Sequence, residues 1–72
     1  MRYVTADRKA VERAGLNLFG RVSVGRDVVV NEKELMYCAG LSGDFDERVE
    51  QLGGTAYTHN QIVNLISDNK RK

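Results

Sequence analysis

Two stretches of the chain, Val30-Asn31-Glu32-Lys33-Glu34-Leu35 and Tyr57-Thr58-His59-Asn60-Gln61-Ile62, are built to one pattern. Each carries a capping side chain, a Glu or Gln three residues later, and an apolar pair straddling both. The capping oxygen accepts from the free backbone N–H of the third helical residue, the Glu or Gln reaches back to the cap's own N–H, and the apolar pair staples the turn. The pattern predicts helix starts at Glu32 and His59.

At 72 residues the chain is long enough for one domain, and a domain this small buries only about 60% of the surface its unfolded form exposes. That leaves room for one thin core and little for a deep active site. A hydrophobic fraction of 42% with 29% charged residues fits a globular chain. A single cysteine excludes an internal disulfide, and with no proline and no secretory signal the chain reads as cytoplasmic. No apolar run approaches the roughly 18 residues of a membrane span. The net charge of +1 conceals segregation: residues 1–26 carry six cations against two acids, residues 27–54 two cations against seven acids, and residues 55–72 three cations against one acid.

The helical spacing of Ala10, Val11 and Ala14 predicts a first helix over Ala6–Ala14, with Thr5 as its cap and Gly15 as its left-handed stop. Leu18–Val24 and Val28–Val30 read as a β-hairpin. A three-residue loop, Gly25-Arg26-Asp27, would align Val22, Val24, Val28 and Val30 on one face, and is preferred to a two-residue loop that sets Asp27 opposite Val24. The second helix is expected over Glu32–Ala39 with Gly40 closing it. Asp44 and Glu47 form a further capping box for a third helix, whose Phe45, Val49 and Leu52 share one face and whose stop is Gly53. After the connection Gly54-Thr55-Ala56, a fourth helix from His59 to about Asp68 buries Ile62, Val63, Leu65 and Ile66 and leaves residues 69–72 as a flexible basic tail. The expected fold is a small α+β domain over residues 1–72, in the order αββααα, with one β-hairpin packed against a helical cluster.

Within Leu35–Leu52, the turn Ala39-Gly40-Leu41-Ser42 resembles the turn of helix-turn-helix DNA-binding proteins. The resemblance implies a DNA-binding regulator whose third helix enters the major groove. Met36 stands where that pattern prefers a small alanine, and Asp46 where it takes a buried Val or Ile. The third helix itself carries Asp44, Asp46, Glu47 and Glu50 against Arg48 alone, which opposes approach to two rows of phosphates. A nucleic-acid surface is better placed on the basic side, with Arg2, Arg8, Lys9, Arg13 and Arg26, supported by Arg21 and the Lys70-Arg71-Lys72 tail.

No constellation for catalysis stands out. His59 and Cys38 lack the companions of a metal site, so they read as a surface histidine and a small buried thiol. Acids in a helix's first turn answer its dipole, and they lack the spacing of a calcium loop. Gly40, Gly43, Gly53 and Gly54 match no phosphate-binding loop. Tyr3, Tyr37 and Tyr57 are the large amphipathic side chains suited to an interface.

The expected function is therefore a non-enzymatic regulator or inhibitor without cofactor or metal, binding another protein through Glu34, Tyr37, Asp44, Asp46, Glu47 and Glu50. Its partner would present a basic surface. A small stand-alone regulator of this kind suits a phage or other mobile element. DNA binding through the basic side is the alternative, and a homo-oligomer is compatible with either.

Overall fold

The computed structural model describes residues 1–70, which form β1 (Tyr3–Asp7), α1 (Arg8–Arg13), β2 (Ser23–Val24), β3 (Asp27–Asn31), α2 (Glu32–Met36), α3 (Phe45–Leu52), β4 (Thr55–Tyr57) and α4 (His59–Lys70). The class is α+β. The expected helix, hairpin and three helices stand in their expected order, and two further strands, β1 and β4, join the hairpin in one antiparallel sheet of order β2-β3-β1-β4.

The register pairs Val4 with Val30 and Ala6 with Val28, so these four side chains share one face. They are buried with Val11 and Ala14 from the first helical segment, Leu35 of α2, Cys38 and Leu41 from the following connection, and Phe45 and Leu52 of α3. The opposite face belongs to α4. This helix meets β4 at one edge of the sheet and β2 at the other, and its buried Ile62 lies outside the main cluster. The Tyr3 ring stands 5.8 Å from that of His59. Thr5, which points to this second face, is only 4% exposed.

Several local expectations are corrected. Thr5 caps no helix: it lies mid-strand, paired with Val29 and Thr55, while Asp7 caps α1 by accepting from the Lys9 N–H at 2.9 Å. Pairing of Ala6 with Val28 and of Asp7 with Asp27 keeps these two residues in the strand, and the helix begins at Arg8. The hairpin uses the two-residue turn Gly25-Arg26, with Val24 opposite Asp27, because Gly25 adopts φ +63 at the first central position, where such a turn needs glycine. The expected first hairpin strand shortens to Ser23–Val24; Val22 adds one bond, its O accepting from the Val29 N–H at 3.0 Å, and its side chain is left exposed. Helix α2 ends at Met36, not Ala39. Gly40 has no left-handed backbone; a Cβ there would collide with the backbone of Ala14, so close approach is what requires glycine. The eight residues between α2 and α3 also separate these helices more than the turn of a helix-turn-helix motif does. In α4 only Ile62 is fully buried and Val63 is exposed, since a single helix over one sheet face covers a narrow stripe. Asn69 and Lys70 belong to α4, and Arg71 and Lys72 of the expected tail lie outside the described residues.

Helix termination elsewhere follows expectation. Gly15 and Gly53 are left-handed, and each closes its helix with paired bonds: Gly15 N–H to Glu12 O and Leu16 N–H to Val11 O, Gly53 N–H to Glu50 O and Gly54 N–H to Val49 O. Thr58 and Gln61 cap each other reciprocally, at 2.9 and 3.2 Å. The Asn31 box is half made: Glu34 N–H donates to Asn31 Oδ1, but the Glu34 carboxylate accepts from Asn31 Nδ2 and does not return to the backbone.

Candidate functional site

Helix α3 presents carboxylates because its one cation is turned inward. Asp44 caps the helix, its Oδ1 accepting from the Glu47 N–H at 2.8 Å. Phe45 and Leu52 are buried, which places Asp46, Glu47 and Glu50 on the exposed side. Arg48 Nη1 donates to Leu35 O and Cys38 O at 3.1 and 3.0 Å, and its Nε donates to Gly43 O at 2.8 Å. This arginine ties α3 to the end of α2 and neutralises none of the neighbouring acids. Among the described residues, Asp44, Asp46, Glu47 and Glu50 form no ion pair.

Glu34, the other acid expected at the surface, and Glu32 beside it are occupied within the molecule. Glu34 accepts from Asn31 and meets the Arg21 guanidinium through a solvent-shielded Oε2, an ion pair without the alignment of a hydrogen bond. Glu32 accepts from Arg2 Nε and Nη2 and from the Arg2 backbone N–H, and these bonds hold its carboxyl below the usual glutamate value. Tyr37, directly after α2, is 81% exposed.

Sequence reasoning missed Phe19, which is 91% exposed. Phe19 and Tyr37 border a groove of about 930 Å³ between the Ala14–Val22 segment and residues 37–40, with Leu16, Val22 and Val29 adding apolar lining. The long segment is fixed by Arg21, whose Nε donates to Asn17 O and whose Nη1 donates to Val29 O, while Phe19 N–H donates to Asn17 Oδ1 at 2.8 Å. A signal was present: Asn17 and Gly20 bracket a turn, and a bulky apolar residue at a turn tip has no core to enter.

The expected basic surface is divided. Arg2 lies at the Tyr3–Asn31 end of the sheet, paired with Glu32 and stacked on Phe45. Arg8 and Lys9 follow Asp7 at the opposite end, where Arg26 occupies the adjacent turn. Five strand residues, about 17 Å, separate the two ends. Lys70 joins the second group, since Asn69 beside it accepts from Gly25 N–H and donates to Ser23 O. Arg13 lies further along α1, next to Gln51 and Leu52. Arg8, Lys9, Arg13 and Arg26 are exposed and form no ion pair among the described residues.

Cys38 is a buried free thiol whose Sγ contacts Ala14 O at 2.9 Å. No group of three or more His, Cys, Asp or Glu residues among those described is placed to hold a metal ion, and no described helix is long and apolar enough to cross a membrane. No protein-family model, curated protein or solved structure matches the chain.

Proposed function

We propose that this protein is a small binding regulator or inhibitor, not a catalyst, that takes a basic surface of another protein on α3, with Tyr37 as an apolar contact at the margin. The observation that carries this reading is the inward turn of Arg48, which leaves Asp46, Glu47 and Glu50 exposed and without an ion pair among the described residues. Carboxylates arranged in this way steer a cationic partner and give the encounter a marked salt dependence. Glu34 is engaged by Arg21 and Asn31. It makes no direct contact in this reading.

The test is affinity capture from nuclease-treated host extract with wild type and with Asp46→Lys/Glu47→Lys. A stoichiometric protein held by wild type and lost with the double variant is the expected result; equal capture by both excludes this surface.

A second reading, phosphate binding by the Arg8, Lys9, Arg13 and Arg26 side, is favoured by the clustering of Arg8, Lys9 and Arg26 at one sheet end without ion pairs. Titration against random duplex DNA at two salt concentrations separates the readings. Micromolar wild-type binding that weakens in Arg8→Ala/Arg13→Ala, with a flatter salt dependence, would favour DNA.

A further inference from the structure

We propose that the Phe19–Tyr37 groove is covered by a second copy of this chain, in a two-fold pair that lays the Arg8, Lys9 and Arg26 end of each copy over the Asp44, Asp46 and Glu47 end of the other.

The first support is the groove itself. Two aromatic side chains, 91% and 81% exposed, border one concavity together with the half-exposed Val22. Arg21 and Asn17 hold the Phe19 segment in place, so Phe19 is presented and not left to fold inward. Burial of both rings in each of two symmetric copies offsets part of the loss of free motion on pairing.

The second support is the charge pattern. The strand register puts Arg8, Lys9 and Arg26 at one end of the sheet, where they outnumber Asp7 and Asp27. Arg2, from the Tyr3–Asn31 end, stacks on Phe45 at 3.9 Å, which places the acidic start of α3 at that other end. The groove runs from Tyr3 and Asn31 at that end to mid-strand Val29. A two-fold axis through the groove and perpendicular to the strands reverses one copy relative to the other and brings unlike ends together twice, as a self-complementary surface requires. A charge of +1 per chain leaves little net repulsion between copies.

This pairing also deepens the protein-binding reading, and to that extent rests on it. The carboxylates offered to a basic partner are covered in the pair, so partner and second copy compete for them.

Sedimentation equilibrium of the purified full chain tests the pairing, from about 5 to about 500 µM and at about 50 and 500 mM NaCl. Wild type is expected to follow a monomer–dimer equilibrium whose dissociation constant rises about tenfold or more at the higher salt. Phe19→Ser/Tyr37→Ser should remain monomeric with an unchanged circular dichroism spectrum. Reversal of one end, Arg8→Glu/Lys9→Glu/Arg26→Glu, or of the other, Asp46→Lys/Glu47→Lys, should abolish self-association, and mixing the two reversed variants should restore a 1:1 pair, which also shows both to be folded. A monomeric wild type throughout, a dimer indifferent to Phe19 and Tyr37, or a mixture that does not pair would each overturn the proposal. Because the chain is measured alone, such a result leaves the partner-capture experiment to decide the protein-binding reading.

Discussion

The guanidinium carbon of Arg2 lies 3.9 Å from the centroid of the Phe45 ring, over the residue that anchors α3 in the core. Glu32 holds the same guanidinium from the side through two hydrogen bonds at 3.1 and 3.2 Å. The acidic helix is thus joined to the first strand through a stacked cation.

Acid should weaken this junction. Hydrogen bonds from Arg2 lower the Glu32 carboxyl below its ordinary value of 4.5. A carboxyl lowered by folding adds stability above that ordinary value and loses its contribution as pH falls through the lower, folded-state value. Glu32→Gln should therefore cost stability near neutrality, with the gap from wild type narrowing below pH 4.5. Urea melts at a series of pH values check the trend; a constant gap would mean that the ion pair is not felt by the fold.

The two glycines beyond α2 and α3 should respond unequally. Gly53→Ala forces a left-handed alanine and should cost about 1 kcal/mol. At Gly40 the added methyl meets the Ala14 backbone, which cannot move aside as a flexible side chain could. Overpacking of this kind costs about 1–3 kcal/mol. Thermal melts should rank Gly40→Ala as the more damaging.

Helix α4 should depend on Thr58 and ignore Asn60. Removing the Thr58 hydroxyl leaves the Gln61 N–H without its acceptor and should cost about 0.5–2 kcal/mol, while Asn60→Ala on the exposed first turn should stay within about 0.5 kcal/mol of wild type. Equal losses in urea would contradict the capping geometry.

Arg48→Met should destabilise by about 1–2 kcal/mol, because the Leu35, Cys38 and Gly43 carbonyls lose a charged donor. Arg48→Lys should recover only part of the loss, since one ammonium cannot reproduce the guanidinium fork. A stability equal to wild type in Arg48→Met would mean that these hydrogen bonds add nothing net to the fold.

Apart from the start of α1 and the end of α2, helix ends were legible in sequence because their chemistry is local. Asn31, Asp44 and Thr58 each meet the N–H three residues ahead, and Gly15 and Gly53 act within one turn. Strands β1 and β4 were not legible. Tyr3 pairs with Asn31 and Tyr57, partners that no local window contains, and three residues of Thr55–Tyr57 carry almost no periodicity of their own. The site was divided in the same way. The acids of α3 follow from helical spacing, but the inward turn of Arg48 and the capture of Arg2 by Glu32 and Phe45 depend on tertiary neighbours. Phe19 was hidden by its type: apolar residues beside a valine-rich run read as strand until the core is seen to be full.

Strand β1 lies inside the sheet, with β3 on one side and β4 on the other. Because the earliest strand in the chain must wait for partners from residues 27–31 and 55–57, the sheet has high contact order, and its closure couples distant parts of the chain in one folding step. Fraying can begin at the two-residue β2 or the three-residue β4, yet releasing β1 dissolves both of its ladders and exposes Val4 and Ala6 together. Amide exchange along Val4–Ala6 thus reports global unfolding, where the ends of α4 report only local opening.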